Sequence, residues 1–474
     1  MRNHIRLTSL SLALAATLFG CASVGQPYQA PTTFAGQNLP QQYQVAEQAS
    51  DWFAQLGDAE LNRLIEQALL ASPTLAAAKA NADRAYAVFQ DADNDDWARM
   101  DLAASQQNQQ IPDSAAQNAG QIQRQASLGG QLSWDLDLFG KLEQAAVAAN
   151  ARAEAAGLAW QQARIALLSQ VASSYGDYRG AELRLSVAEQ DLQNLKRTKQ
   201  IIQARRDAGV ASDLELSRID AQIYQQQAFL PALRQLKTAA HATLAALLAQ
   251  SPQQLVVASQ ATPALPAFDN PVQLDSQLNY LQFRPEVAQA ERELAASHAD
   301  IGVATAELYP QLSLTGFLGF LASPGLSLGS ANESWSIAPT LRWQATELSS
   351  IQARIRGAEA SQQLAVANFQ KAVFDALAQM QTAVHGYKSS RERELWLSQQ
   401  VAATKQAVEL IRAQYDAGTV EFLQLLDAER DWLQSRDAQA QQALTHYQQL
   451  VGLYQAFAGA LPLADGQQVA MVKD

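Results

Sequence analysis

One offset of 209 positions brings two parts of this chain into register. Leu132 and Trp134 recur as Leu341 and Trp343. Ile202, Ala204, Asp207, Ala208 and Gly209 recur as Ile411, Ala413, Asp416, Ala417 and Gly418, and Leu214 and Leu216 recur as Leu423 and Leu425. Ala and Leu coincide often by chance, but Trp and Gly do not. A single offset serving clusters some 75 residues apart therefore reads as an internal duplication, and the chain must fold as two copies of one plan.

The plan is mainly helical with a small β part. In the first copy the pattern predicts a helix over Pro73–Trp97 and strands over Asp101–Asn108 and Gln123–Asp137. A proline-free stretch follows from Lys141 to Asp207. Gly209 ends it as a glycine C-cap, and Ser212 or Asp213 caps the next helix. That helix runs to Ala249 with a bend expected at Pro231. The second copy reads as a helix over Pro285–Leu308, strands over Gln311–Leu321 and Glu333–Gln344, a long helix over Leu348–Ala417 and a last helix over Glu421–Gly459. At ~1.5 Å per residue the long helices span roughly 100 Å, and each pair of shorter ones about 95 Å end to end. Each copy is thus expected to pack one long helix antiparallel to two stacked short ones, with strands at one end and a glycine turn at the other.

The strands alternate. Leu128, Gly130, Leu132, Trp134, Leu136 and Leu138 interleave with Gly129, Gln131, Ser133, Asp135 and Asp137. Trp335, Ile337, Pro339, Leu341 and Trp343 interleave with Ser336, Ala338, Thr340, Arg342 and Gln344. Period two with one apolar face is a half-exposed strand, and about ten residues is the length of a tilted transmembrane one. The opposite face, with Gln131, Ser133, Asp135, Asp137 and Arg342, suits a wet lumen; the other reading is a soluble sheet packed on its own helices. Four strands cannot close a barrel, and an open edge cannot face lipid. If they span a membrane, several chains must share one barrel.

The N-terminus reads as an address. Arg2 and Arg6 precede an apolar run from Leu7 to Phe19, and the only cysteine, Cys21, stands at the expected cleavage point. Leu18-Phe19-Gly20-Cys21 resembles a bacterial lipobox, in which the thiol is acylated, and Ala22 after it favours the outer membrane. Residues 1–20 are read as signal peptide, 21–50 as a lipidated tether rich in Pro and polar residues, 51–264 as the first repeat and 265–474 as the second.

Composition excludes several classes. A net charge of −12 without a Lys/Arg block excludes a nucleic-acid binder. One cysteine excludes a disulfide framework and a cysteine-cluster metal site. The five histidines are scattered, and no nucleophile–base set or phosphate-binding loop is present. Neither an enzyme nor a cofactor is expected, apart from the covalent lipid on Cys21. The acidic cluster Asp93, Asp95, Asp96 and Asp101 lacks an EF-hand pattern.

Several motifs carry a family resemblance. These are Trp52 with Leu56-Gly57-Asp58, Ser72-Pro73-Thr74-Leu75 and Arg284-Pro285-Glu286-Val287, Ser133 to Gly140, Leu308-Tyr309-Pro310-Gln311-Leu312, and Tyr415-Asp416-Ala417-Gly418 followed by Leu423 and Leu425 to Arg430. Together the chain resembles the outer-membrane efflux protein family, the TolC-like and OprM-like lipoprotein channels of tripartite pumps. Two positions depart from it: Asp101 stands where Pro310 stands in the second copy, and Gln344-Ala345-Thr346-Glu347 replaces the usual turn. The resemblance implies a homotrimer whose chains give four strands each to one 12-stranded barrel, anchored in outer-membrane lipid, with helices tunnelling through the periplasm. Leu265–Leu281 and the stretch after Gly459 would form an equatorial belt. A periplasmic adaptor (membrane fusion) protein would join this duct to an inner-membrane pump of the resistance-nodulation-division (RND) type, and drugs or other small toxic compounds would pass. It further implies a gate at the periplasmic tip, with Asp427 as an inward acid, Tyr415, Asp416 and Arg430 as polar links, and Glu215 and Arg218 as their counterparts. The turns at Gly209 and Gly418 would meet the adaptor. A channel for type I protein secretion and a lipid-anchored coiled-coil scaffold without a pore are the competing readings.

Overall fold

The computed structural model describes residues 24–34, 37–38, 52–110, 122–258, 263–266, 277–323 and 328–458. Two-residue strands β1 (Thr33–Phe34) and β2 (Gln37–Asn38) pair first. Helices α1 (Ala59–Ala71) and α2 (Pro73–Asp93), strands β3 (Arg99–Gln110) and β4 (Ile122–Leu136), and helices α3 (Lys141–Asp207) and α4 (Asp213–Leu247) follow. The second half repeats the order with α5 (Pro285–Ala306), β5 (Gln311–Ala322), β6 (Glu333–Arg342), α6 (Leu348–Asp416) and α7 (Phe422–Ala456). Strands β3 to β6 form one antiparallel sheet in the order β3-β4-β5-β6. The fold class is the expected one, mainly α with four strands. The signal peptide, Cys21, most of the tether, 267–276 and everything after 458 lie outside the described residues.

Local chemistry sets the boundaries. The Asp58 carboxylate accepts from the Glu60 and Leu61 amides at 2.9 and 3.0 Å and opens α1. Pro73 and Pro285 each take the first position of a helix, where the missing N–H costs nothing. Ser212, rather than Asp213, caps α4 by accepting from the Glu215 amide at 3.3 Å. The α4 helix passes through Pro231 without interruption. Three expected strand residues, Asp137, Trp343 and Gln344, fall outside the sheet: β4 stops at Leu136 and β6 at Arg342. Asp137 caps α3 instead, accepting from the Lys141 amide at 2.7 Å and the Glu143 amide at 2.9 Å.

Contacts divide the chain into two compact units, each drawn from both halves of the sequence. The first comprises Met1–Pro31, Asn81–Gly157 and Gln289–Gln370 and holds the sheet. Within it residues 24–28 run along the helices rather than free of them. The Val24 amide donates to the Phe139 carbonyl at 2.9 Å. A His298 ring nitrogen meets the Gln26 carbonyl at 2.9 Å, and Tyr28 packs on Ala151, Ala295 and Ala296. The second unit comprises Thr32–Ala80, Leu158–Ala288 and Lys371–Asp474. Its core joins four helices: Leu192, Leu195 and Ile202 of α3, Ile219, Ile223, Leu230 and Leu233 of α4, Tyr415 of α6, and Phe422 and Leu425 of α7. No described helix is long and apolar enough to cross a membrane.

Candidate functional site

Two turns close the helical hairpins α3–α4 and α6–α7, and they are copies of one another. Gly209 has φ +78° and Gly418 φ +73°, values that glycine adopts without a Cβ penalty. The Gly209 amide donates to the Arg206 carbonyl at 2.8 Å and the Val210 amide to the Arg205 carbonyl at 2.9 Å. At the second turn Gly418 donates to Tyr415 at 3.0 Å and Thr419 to Gln414 at 2.9 Å. This double bond is the Schellman cap, repeated at the 209-residue offset.

Beside the second turn the structure brings together some of the expected polar residues and separates others. Tyr415 is buried, and its hydroxyl donates to Glu215 Oε2 at 3.2 Å, tying α6 to α4. Arg205 lies over the Tyr415 ring, 4.3 Å from its centroid, and donates to the Tyr415 carbonyl at 3.3 Å. Burial first, and the Glu215 carboxylate second, push the Tyr415 hydroxyl above its ordinary pKa, while Arg205 opposes them. Asp427 is half-exposed and faces Arg430 of its own helix at 3.5 Å; Arg430 also meets Asp431 at 4.0 Å. Arg430 thus pairs within α7 rather than linking two helices. Asp416 is exposed at the last position of α6, and Arg218 is half-buried on α4. Motif reading passed over Arg205. Its signal is a cation in the last turn of a long helix, where it complements the helix dipole.

The sheet supplies a second functional surface. Gln131 lies opposite Asp101 and Phe317, Ser133 opposite Arg99 and Thr315, Asp135 opposite Ser313, and Arg342 opposite Gln311. Cross-strand partners share a face, so these residues, Phe317 apart, form one polar surface. The other face carries Leu128, Leu132, Trp134 and Leu136 with their partners from β3 and β5, and beyond β5 the Trp335, Ile337, Pro339 and Leu341 of β6. On it Leu102 is 88% exposed, Trp335 74% and Leu341 66%, so none of the described residues covers these side chains. The apolar run from Leu128 to Leu136 measures about 27 Å along the strand, close to the ~25 Å band of a membrane barrel. Beyond Leu128 the same face turns polar, with Gln106 opposite Ala126 and Asn108 opposite Arg124. Near the other end the two duplicated tryptophans donate their indole N–H to backbone carbonyls, Trp134 to Asp96 at 2.8 Å and Trp343 to Leu308 at 3.1 Å. Each keeps an apolar ring and a satisfied polar tip, the pairing found at membrane interfaces.

The sequence matches the family profile described as outer membrane efflux protein over residues 64–250 and 279–459. It is 28% identical to the outer membrane protein OprJ of Pseudomonas aeruginosa, over 95% of either chain. It is 26% identical to the cation efflux system protein CusC of Escherichia coli, over 95% of this chain and 98% of CusC. Among solved structures, the outer-membrane channel OprN superposes with a TM-score of 0.85 at 35% identity, covering 92% of this chain and 99% of that one. Because the family match runs through most of both halves and the fold is shared over more than nine-tenths of the chain, this protein is a member of the outer membrane efflux protein family, an outer-membrane channel for export.

Proposed function

We propose that three copies of this chain form the outer-membrane exit duct of a tripartite efflux pump. The sheet carries this reading. Among the described residues, side chains of its apolar face stand exposed and its edge strands β3 and β6 each pair on one side only. A sheet in lipid must close on itself, and three chains of four strands give a 12-stranded barrel. The polar face with Gln131, Ser133, Asp135 and Arg342 then lines the lumen. An acyl chain on Cys21 anchors each chain to the same membrane. A periplasmic adaptor docks at the Gly209 and Gly418 turns and links the duct to an inner-membrane pump of the RND type, which supplies the energy. The duct itself conducts passively. Relatives are named for cation efflux, for pyoverdine export and for solvent efflux. Such a spread on one fold fits cargo choice in the pump and adaptor, and we assign drugs or other small toxic compounds as the cargo.

Light scattering of the mature protein in detergent, with negative-stain imaging, tests the reading. A trimer with a central lumen that also conducts in planar bilayers is expected. A monomer without a lumen overturns it and favours the scaffold.

A further inference from the structure

Within the first unit, where the sheet meets the helices, a hollow of about 320 Å³ lies beside the start of β5 and the end of β6. Lys141, Glu307, Tyr309, Arg342, Glu347 and Arg354 line it. The chain brings them from the first residue of α3, the approach to β5, the last residue of β6 and the beginning of α6. Glu307 is held between two cations, Lys141 Nζ at 3.5 Å and Arg354 Nε at 2.7 Å. Among the described residues neither Arg342 nor Glu347 has an ion-pair partner. Three cations thus stand against two carboxylates, in a chain whose net charge is −12.

Tyr309 supplies an aromatic wall. Its ring stacks on Phe139 with centroids 4.7 Å apart and planes 17° apart, and the residue stays 39% exposed. The hollow belongs to the polar face of the sheet, since Arg342 lies opposite Gln311, which also lines it. Asp101 and Asp135 stand on that same face. An anion moving along it therefore meets repulsion that this hollow locally reverses. A guanidinium grips a carboxylate through paired N–H groups, which a point charge cannot do. The volume suits a small organic ligand, and a bare inorganic anion would leave the Tyr309 ring unused.

We propose that this hollow is a transit site for organic anions that join a carboxylate to an aromatic ring. Arg342 and Arg354 take the carboxylate, Lys141 adds its charge, and the ring lies against Tyr309. Each chain carries one such site, so a closed barrel has a ring of them at the base of its strands. A duct must release what it holds. The Arg354 side chain is 47% exposed, and charge pairs open to water are weak enough for release. The inference rests on the efflux-duct reading, which turns the polar face toward the lumen and makes the occupant a passing solute rather than a lipid headgroup.

Equilibrium dialysis of radiolabelled salicylate against the full-length protein in detergent tests the site. Binding should saturate at one salicylate per chain, fade as salt is raised and resist competition by the neutral salicylamide. Arg342→Gln and Arg354→Gln should each weaken it about fivefold, the effect of ~1 kcal/mol for a charge pair open to water. If either variant fails to assemble, Glu347→Gln decides. It removes an unpaired carboxylate from the hollow and should tighten binding about fivefold by the same measure, a gain that misfolding cannot produce. The same dialysis in bilayer discs containing phosphatidylglycerol separates the two sources of anion, and salicylate binding should be unchanged there. Absence of saturable binding, unchanged affinity in assembled arginine variants, no gain in Glu347→Gln, or displacement of salicylate by the anionic lipid overturns the proposal. A wild-type protein that binds salicylate as expected but neither forms trimers nor conducts in planar bilayers overturns the duct reading instead.

Discussion

A Cβ placed on Gly209 or Gly418 would meet no atom within 4 Å, so glycine contributes only its backbone freedom at these turns. Gly418→Ala should therefore destabilise by about 1–2 kcal/mol, the cost of a left-handed residue with a side chain, and Gly418→Asn by less. Thermal melts of the detergent-solubilised protein check this; an unchanged midpoint for the alanine variant would show that the turn relaxes. Asp191 makes a different case. Burial pushes its carboxyl up to about 6, with Arg436 opposing and Asp437 adding to the rise. Arg430 lines the cavity beside Asp191 from α7, and α4 presents the uncharged Gln222, Gln225, Gln226, Ala228 and Phe229 there. A carboxyl raised above its unfolded value of 3.8 makes the folded state bind its proton more tightly. The cost to stability is full above about pH 6 and is relieved as the pH falls toward the unfolded value. Asp191→Asn removes that titration. The midpoint of the variant relative to wild type should therefore be higher at pH 7.5 than at pH 5. A difference independent of pH would contradict this.

Among the elements, the long helices were the most legible. Lys141 to Asp207 is the span that the proline-free stretch and Gly209 predict, because one breaker decides each end. Strand β3 was the least legible. It is apolar only from Met100 to Ala104, and there broken by Asp101, yet it runs from Arg99 to Gln110, held by its twelve-residue register with β4. Pairing of that kind has no signature in β3 itself. Asp137 continued the alternation of β4 in sequence, but its carboxylate sits where a helix needs a cap. At the centre of the sheet Gly129 pairs with Gly319. A Cβ on Gly319 would stand 2.3 Å from the Leu128 carbonyl oxygen and 2.5 Å from the Gly129 Cα. Backbone cannot yield as a flexible side chain does. Gly319→Val should break the β4–β5 pairing and abolish membrane insertion while leaving the helical circular dichroism signal in place. Normal insertion of the variant would show that the strands have room to part.

At the scale of the whole molecule the proposed duct has two holds on its membrane, a lipid on Cys21 and the sheet, and their magnitudes differ. A single acyl chain binds a bilayer with a constant near 10⁴ M⁻¹, about 5–6 kcal/mol. The bare face of the sheet offers Leu102, Leu318, Trp335, Ile337 and Leu341, all more than 60% exposed. At ~1.5–3 kcal/mol each on leaving water, these five side chains alone contribute on the order of 10 kcal/mol per chain, a gain that each subunit of the proposed barrel would add. The lipid proposed on Cys21 would then be an aid to sorting and assembly rather than the main hold on the membrane. Cys21→Ala, carried on a signal peptide cleaved by the ordinary route, should lose labelling by radioactive palmitate. It should nonetheless fractionate with the outer membrane and conduct in planar bilayers as wild type does. Recovery of the variant as a soluble periplasmic protein would reverse the ranking. The acyl chain would then supply the hold, and the exposed face of the sheet would need a different partner.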